Sequence, residues 1–103
     1  MISPDYNGGS IVNLMSSILK SLDFDPKYPP LNHLPSTSIC DTKNIVLILI
    51  DGLGYNYLNE KGKETIFLDN LEGKMTSVFP SSTASAIPSI LTGLSPQQHG
   101  ITG

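Results

Sequence analysis

Apolar positions along the chain change period several times, and each change marks an element. From Ser10 onward, Ile11, Val12, Leu14, Met15, Ile18, Leu19 and Leu22 recur at helical spacing, with Ser10 placed to cap the first turn. This predicts an amphipathic helix ending near Leu22. A membrane-surface or partner-facing stripe would want basic and aromatic residues. This one has a single lysine and no aromatic, so packing onto its own domain is the expected use. Residues 1–9, with Pro4, Asn7, Gly8 and Gly9, read as a loose lead-in.

Residues 23–43 lose all period and carry Pro26, Pro29, Pro30 and Pro35, which predicts an extended loop crossing a surface. A loop of that length is unusual in a compact domain and calls for a reason. His33, alone within it, reads as a solvated residue. Then Ile45, Val46, Leu47, Ile48, Leu49 and Ile50 run without interruption, the pattern of a strand buried on both faces and therefore central and parallel. It ends in Asp51-Gly52-Leu53-Gly54, placing a carboxylate just beyond the strand's C-terminal edge, where open α/β sheets hold their ligands. The bland alternative makes Asp51 an N-cap for a helical segment over Tyr55 to Glu60.

Residues 61–74, with Ile66, Phe67, Leu68 and Leu71, predict one or two helical turns of connecting structure. A second strand over Met75 to Phe79 leads into Pro80-Ser81-Ser82-Thr83, and a helix runs from Thr83 to about Leu91 with Gly93 as its stop. Pro88 lies inside it, so a bend or a shifted boundary is expected there. Leu94 to Gly103 reads as another loop.

Charge and cysteine content narrow the classes. The net charge is −3, from six lysines, no arginine and nine carboxylates, which leaves no basic field for a nucleic-acid polymer. The single cysteine, Cys40, excludes an internal disulfide and a cysteine zinc cluster, and is read as structural or incidental. The longest wholly apolar run is Ile45 to Ile50, whereas a membrane span needs about 20 residues. Early basic residues ahead of an apolar core are missing, so a soluble, cytoplasmic protein without a secretory signal or membrane partner is expected.

Candidate chemistry sits at the two strand ends. Thr83 follows an expected strand and opens an expected helix, where free backbone N–H groups and the helix dipole favour an anion such as phosphate. Ser and Thr also cap helices that bind nothing, so the hydroxyl alone does not decide. Asp51 lies 32 residues earlier at the other strand end, and a βαβ unit of that length would bring both to one sheet edge. A threonine hydroxyl needs activation, and no histidine or lysine adjoins Thr83 in sequence. A divalent cation held by a carboxylate is the remaining route.

Taken together, Ile45 to Gly52, Val78-Phe79-Pro80-Ser81-Ser82-Thr83, and Leu91-Thr92-Gly93-Leu94-Ser95-Pro96-Gln97-Gln98-His99-Gly100-Ile101 carry a resemblance. In that order they are similar to the start of the type I phosphodiesterase/nucleotide pyrophosphatase family, within the alkaline phosphatase superfamily. The resemblance implies an α/β fold, a fragment of a three-layer alkaline-phosphatase-like sandwich with parallel strands. Residues 1–43 would be an N-terminal helix and proline-rich loop, and residues 44–103 the N-terminal part of a phosphodiesterase-like catalytic domain.

By the same resemblance, Asp51 matches the first metal-binding aspartate and Thr83 the nucleophile, transiently esterified and in contact with that metal. The complete family site holds two divalent metals, zinc by expectation, with further aspartate and histidine ligands from segments downstream of those found here. His99 matches a His-Gly pair that is not among the family's metal ligands, so a structural hydrogen-bonding role is expected for it. Sulfatases of the superfamily carry a Cys/Ser-x-Pro-x-Arg pattern, which Ser82-Thr83-Ala84-Ser85 does not supply. The substrate would be a phosphoric ester or diester, or a nucleotide pyrophosphate. With one carboxylate and one hydroxyl, the chain by itself is expected to be catalytically silent. The alternative is a non-catalytic interaction or structural piece, forming a homo-oligomer or pairing with a complementing chain through its strand edges.

Overall fold

In a computed structural model, which describes residues 2–102, the first helix forms where the apolar period put it. Ser10 is extended (φ −122°, ψ 171°) and helix α1 (Ile11–Ser21) begins behind it. The Ser10 backbone amide donates to Asn13 Oδ1 at 3.0 Å, so a side chain at the third helical position closes the first turn. The most closed face of α1 is not its apolar stripe. Val12, Asn13, Ser16 and Ser17 are fully buried, while Ile11, Leu14, Met15, Ile18 and Leu19 are half-buried.

That polar face explains the long proline-rich loop. Asn13 Nδ2 donates to the carbonyls of Tyr6 and Pro29, both at 2.8 Å, and Oδ1 also accepts the Ser10 hydroxyl at 2.6 Å. The Leu31 amide donates to Ser17 Oγ (2.8 Å) and to the Asn13 carbonyl (3.0 Å), and Leu31 itself is buried. A loop that forms no ladder of its own has its backbone groups paired by a neighbouring helix instead. Its 3₁₀ turn, Ser36–Ser38, also packs against α1.

The lead-in is held rather than loose. The Asp5 amide donates to Thr76 Oγ1 (2.9 Å) and the Gly9 amide to the Asp5 carbonyl (3.1 Å). A single parallel bridge joins Ser10 to Thr76, with Ile11 N–H donating to the Thr76 carbonyl (3.0 Å) and Thr76 N–H to the Gly9 carbonyl (2.7 Å). Met1 lies outside the described residues.

Of the two strands expected from sequence, residues 75–79 contribute only that bridge, and residues 44–50 have no regular secondary structure. Val46 is 80% and Ile48 77% exposed. The physical reason is partner supply: strand backbone groups need a neighbour on each side, and side chains on both faces need covering layers. The molecule measures 38 × 36 × 20 Å.

The remaining elements are α2 (Tyr55–Lys61), α3 (Ile66–Asp69), α4 (Thr83–Thr92) and α5 (Pro96–His99). Helix α1 packs on α4, α4 on α5, and α2 on α3. Pro88 lies within α4, which continues through it. At its end Gly93 takes a left-handed conformation (φ 67°), and a Cβ there would stand 3.2 Å from Leu19 Cδ1. The left-handed turn calls for glycine, and the end of the Leu19 side chain would have to give way to a Cβ. Beyond it, the loop expected over Leu94 to Gly103 contains α5, started by Ser95 with Pro96 at the first helical position. Tyr28, from the proline-rich loop, donates to Gln98 Oε1 at 2.6 Å and stands 3.0 Å from Ser95 Oγ. Loop and C-terminal turn are thereby joined.

Candidate active site

The N-terminus of α4 is where sequence left the role of Thr83 open. Capping falls to Ser82, extended at φ −118° and ψ 155°, whose hydroxyl accepts from the Ser85 amide at 3.3 Å. Thr83 is the first helical residue, and its hydroxyl is not used in the cap. It is exposed and reaches out of the helix to Asp51 Oδ2, with Oγ1 3.4 Å away, a long hydrogen bond.

Asp51 is likewise free of the capping role. The cap of α2 is Gly54, three residues later. Gly52, at φ 78°, turns the chain immediately after the carboxylate, and a Cβ there would meet nothing, so backbone conformation alone calls for glycine. The structure thus brings together the two residues that the sequence singled out.

They share a cleft of about 240 Å³. One wall is Leu49 to Gly52 and another Ser81 to Thr83, and Ile11, Ile87 and Ile90 form an apolar floor. The first amides of α4 have no intrahelical partner, so Thr83 stands at the positive end of the helix dipole. Beyond the Ser85 amide, which Ser82 caps, the free amides at the start of α4 favour an anion, whereas the Asp51 carboxylate beside Thr83 opposes one unless a cation lies between them.

A larger cleft of about 590 Å³ is lined by Asp5, His33, Tyr55, Tyr57, Lys74 and Thr76 among others. Two of its polar groups hold the lead-in: Thr76 Oγ1 accepts the Asp5 amide, and Asp5 Oδ1 accepts the Asn7 amide at 3.0 Å. It is not where the hydroxyl and carboxylate meet.

The family model described as type I phosphodiesterase / nucleotide pyrophosphatase matches residues 45–103, more than half of the chain. The chain belongs to that family. The match contains Asp51, Thr83 and the whole of α4 and α5, and it excludes α1 and the proline-rich loop. No curated protein and no solved structure matched the chain.

Measured against a metal-dependent phosphodiesterase, the donor set is short. Among the described residues no group of three or more His, Cys, Asp or Glu side chains is placed to hold a metal. Asp51 and Thr83 supply two ligand side chains, whereas a catalytic zinc takes three protein ligands. These residues alone therefore do not fit a zinc site. His99 stays out of the donor set, with Nε2 2.9 Å from Ser89 Oγ and Nδ1 accepting the Ile101 amide at 3.1 Å. Cys40 is exposed, with its thiol turned to the Thr37 carbonyl. Among the described residues no helix is long and apolar enough to cross a membrane.

Sequence reasoning missed Ser82 as the cap, Asn13 as the tie between α1 and the loop, and the Tyr28, Ser95 and Gln98 cluster. The last had a readable signal, since Ser95-Pro96-Gln97-Gln98 carries a cap residue, a proline at the first helical position and a glutamine at the third.

Proposed function

We propose that this chain is a portion of a phosphodiesterase/nucleotide pyrophosphatase-like hydrolase, with Thr83 as nucleophile and Asp51 as the carboxylate that works beside it. The observation that carries the reading is the meeting of Thr83 Oγ1 and Asp51 Oδ2, 3.4 Å apart, in one cleft of a chain belonging to that family. Thr83 Oγ1 attacks phosphorus in line with the departing ester oxygen. A Thr83 Oγ–P bond forms as the exposed hydroxyl gives up its proton to solvent, the P–O bond to the leaving alcohol or phosphate breaks with the departing oxygen taking a proton from water, and water later cleaves the phosphothreonine. The N-terminus of α4 orients the phosphoryl oxygens through backbone N–H groups. Asp51 holds the hydroxyl toward the cleft and is one of the ligands that a divalent metal, zinc by expectation, would need.

The other donors come from outside residues 2–102, so the chain alone does not turn over phosphate esters. The same supply completes the sheet: Ile45 to Ile50 and Met75 to Phe79 take their places as parallel strands of a three-layer sandwich once further strands flank them. Reconstitution tests this. The chain is mixed with zinc and bis(4-nitrophenyl) phosphate, with and without a polypeptide carrying the downstream family segments. Silence alone and turnover in the pair are expected, with turnover lost in Thr83→Ala. Turnover by the chain alone, or an active Thr83→Ala pair, overturns the assignment.

A second reading has its own support in the exposed run at Val46 and Ile48. On that reading the chain is a non-catalytic piece that pairs with itself or with another chain through its strand edge. Concentration-dependent association that Ile48→Lys abolishes, together with an inactive reconstituted pair, favours it.

A further inference from the structure

Helix α4 has a weak point between the residue proposed to react and the residues that anchor it. Pro88 lacks an N–H, so the Ala84 carbonyl, one turn back, loses its backbone partner. Thr83 lies on the N-terminal side of that gap, and the packed turn into α5 lies on the other side. Something must couple the halves if the hydroxyl is to keep its place.

Buried hydroxyls along one face of α4 cross the gap. Ser89 is fully buried, and its Oγ donates to the Ser85 carbonyl at 3.1 Å. Ser85, also fully buried, has its hydroxyl on the Pro80 carbonyl and 3.0 Å from the hydroxyl of Ser82, the cap. A serine hydroxyl has one proton, so once Ser89 donates toward Ser85 it can only accept from elsewhere. The atom that faces it is His99 Nε2, 2.9 Å away.

His99 is set up to supply that proton. The Ile101 amide donates to Nδ1 at 3.1 Å, so Nδ1 is the unprotonated nitrogen of a neutral imidazole and Nε2 carries the hydrogen. Every donor in the run then has one acceptor: Ile101 N–H to Nδ1, Nε2–H to Ser89, and the Ser89 hydroxyl to the Ser85 carbonyl. We propose that His99, as its Nε2–H tautomer, is a positioning residue that clamps the proline-weakened turn of α4 through Ser89 and so fixes the helix N-terminus bearing Thr83. It touches no substrate. Its catalytic consequence rests on the reading of Thr83 as nucleophile, but the clamp itself does not.

The test is nitrogen-15 NMR and amide hydrogen exchange on the 103-residue chain, with readouts that need no turnover. In the wild-type chain, long-range proton–nitrogen correlations are expected to show an unprotonated Nδ1 and a protonated Nε2 at His99. In His99→Ala and in Ser89→Ala, exchange at the Ser85 and Ala86 amides is expected to rise about fivefold, the scale of one net hydrogen bond. Exchange in α1 should stay unchanged. His99→Gln, which can present an amide N–H near the position of Nε2, should restore protection.

Exchange changes confined to residues 99–102, unchanged protection in Ser89→Ala, or a wild-type Nδ1–H tautomer would each overturn the proposal. If His99→Ala unfolds, the wild-type tautomer and Ser89→Ala decide. Thr83→Ala should leave all of these readouts in place, so failure of the nucleophile assignment and failure of the clamp are separately visible.

Discussion

The tie between α1 and the proline-rich loop and the run Ile45 to Ile50 present opposite solutions to one problem, which is where backbone and side chains find partners. In the first, almost every buried polar group is answered within the chain. Asn13 alone joins Tyr6, Ser10 and Pro29, and among the described residues no buried side-chain nitrogen or oxygen lacks a partner. In the second, the most hydrophobic stretch of the sequence stands in solvent, with Val46 80% and Ile48 77% exposed. Local hydrogen bonds can be closed by residues nearby in sequence, whereas a doubly buried strand needs layers brought from elsewhere. The polar tie is closed within the chain, and the apolar run is left exposed.

The contrast is broken most forcefully at Asn13. Asn13→Ala strands the part-buried Tyr6 and Pro29 carbonyl contacts and removes the acceptor of the buried Ser10 amide. A loss of about 3 kcal/mol of stability is expected, read as a lower urea midpoint. A change under about 0.5 kcal/mol would mean that the tie does not hold the loop. Gly93→Ala comes next. It places a Cβ 3.2 Å from Leu19 Cδ1 at a residue with φ 67°, and about 1–2 kcal/mol should be lost, checked by the same unfolding curve. Smallest is Ile48→Lys, at a site already 77% exposed, which should shift the stability of the isolated chain by less than about 0.5 kcal/mol. The same change should abolish assembly with strand-supplying segments, measured by sedimentation. A large destabilisation of the isolated chain would show that the run is already packed in solution.

What could be read from sequence follows the same division. The extent of α1 and the role of Ser10 were legible because period and cap lie within a few residues of one another. So was the meeting of Asp51 and Thr83, because each ends an apolar stretch in a turn of glycine or serine. Asn13 was not legible, since it interrupts an apolar stripe and its partner at Pro29 is 16 residues away. Ser82 and Thr83 could not be told apart as cap and first helical residue, because both side chains suit either place. The apolar run was readable as a strand in character, but pairing is a property of neighbours.

The proposed nucleophile is Thr83, with Asp51 beside it. Its most direct test is mass spectrometry of the Thr83 peptide after the reconstituted pair is quenched during turnover of a phosphodiester. A phosphoryl ester on Thr83, missing in Thr83→Ala and diminished in Asp51→Asn, is the predicted result. A phosphoryl group on another residue, or undiminished turnover with Thr83 replaced, would contradict it.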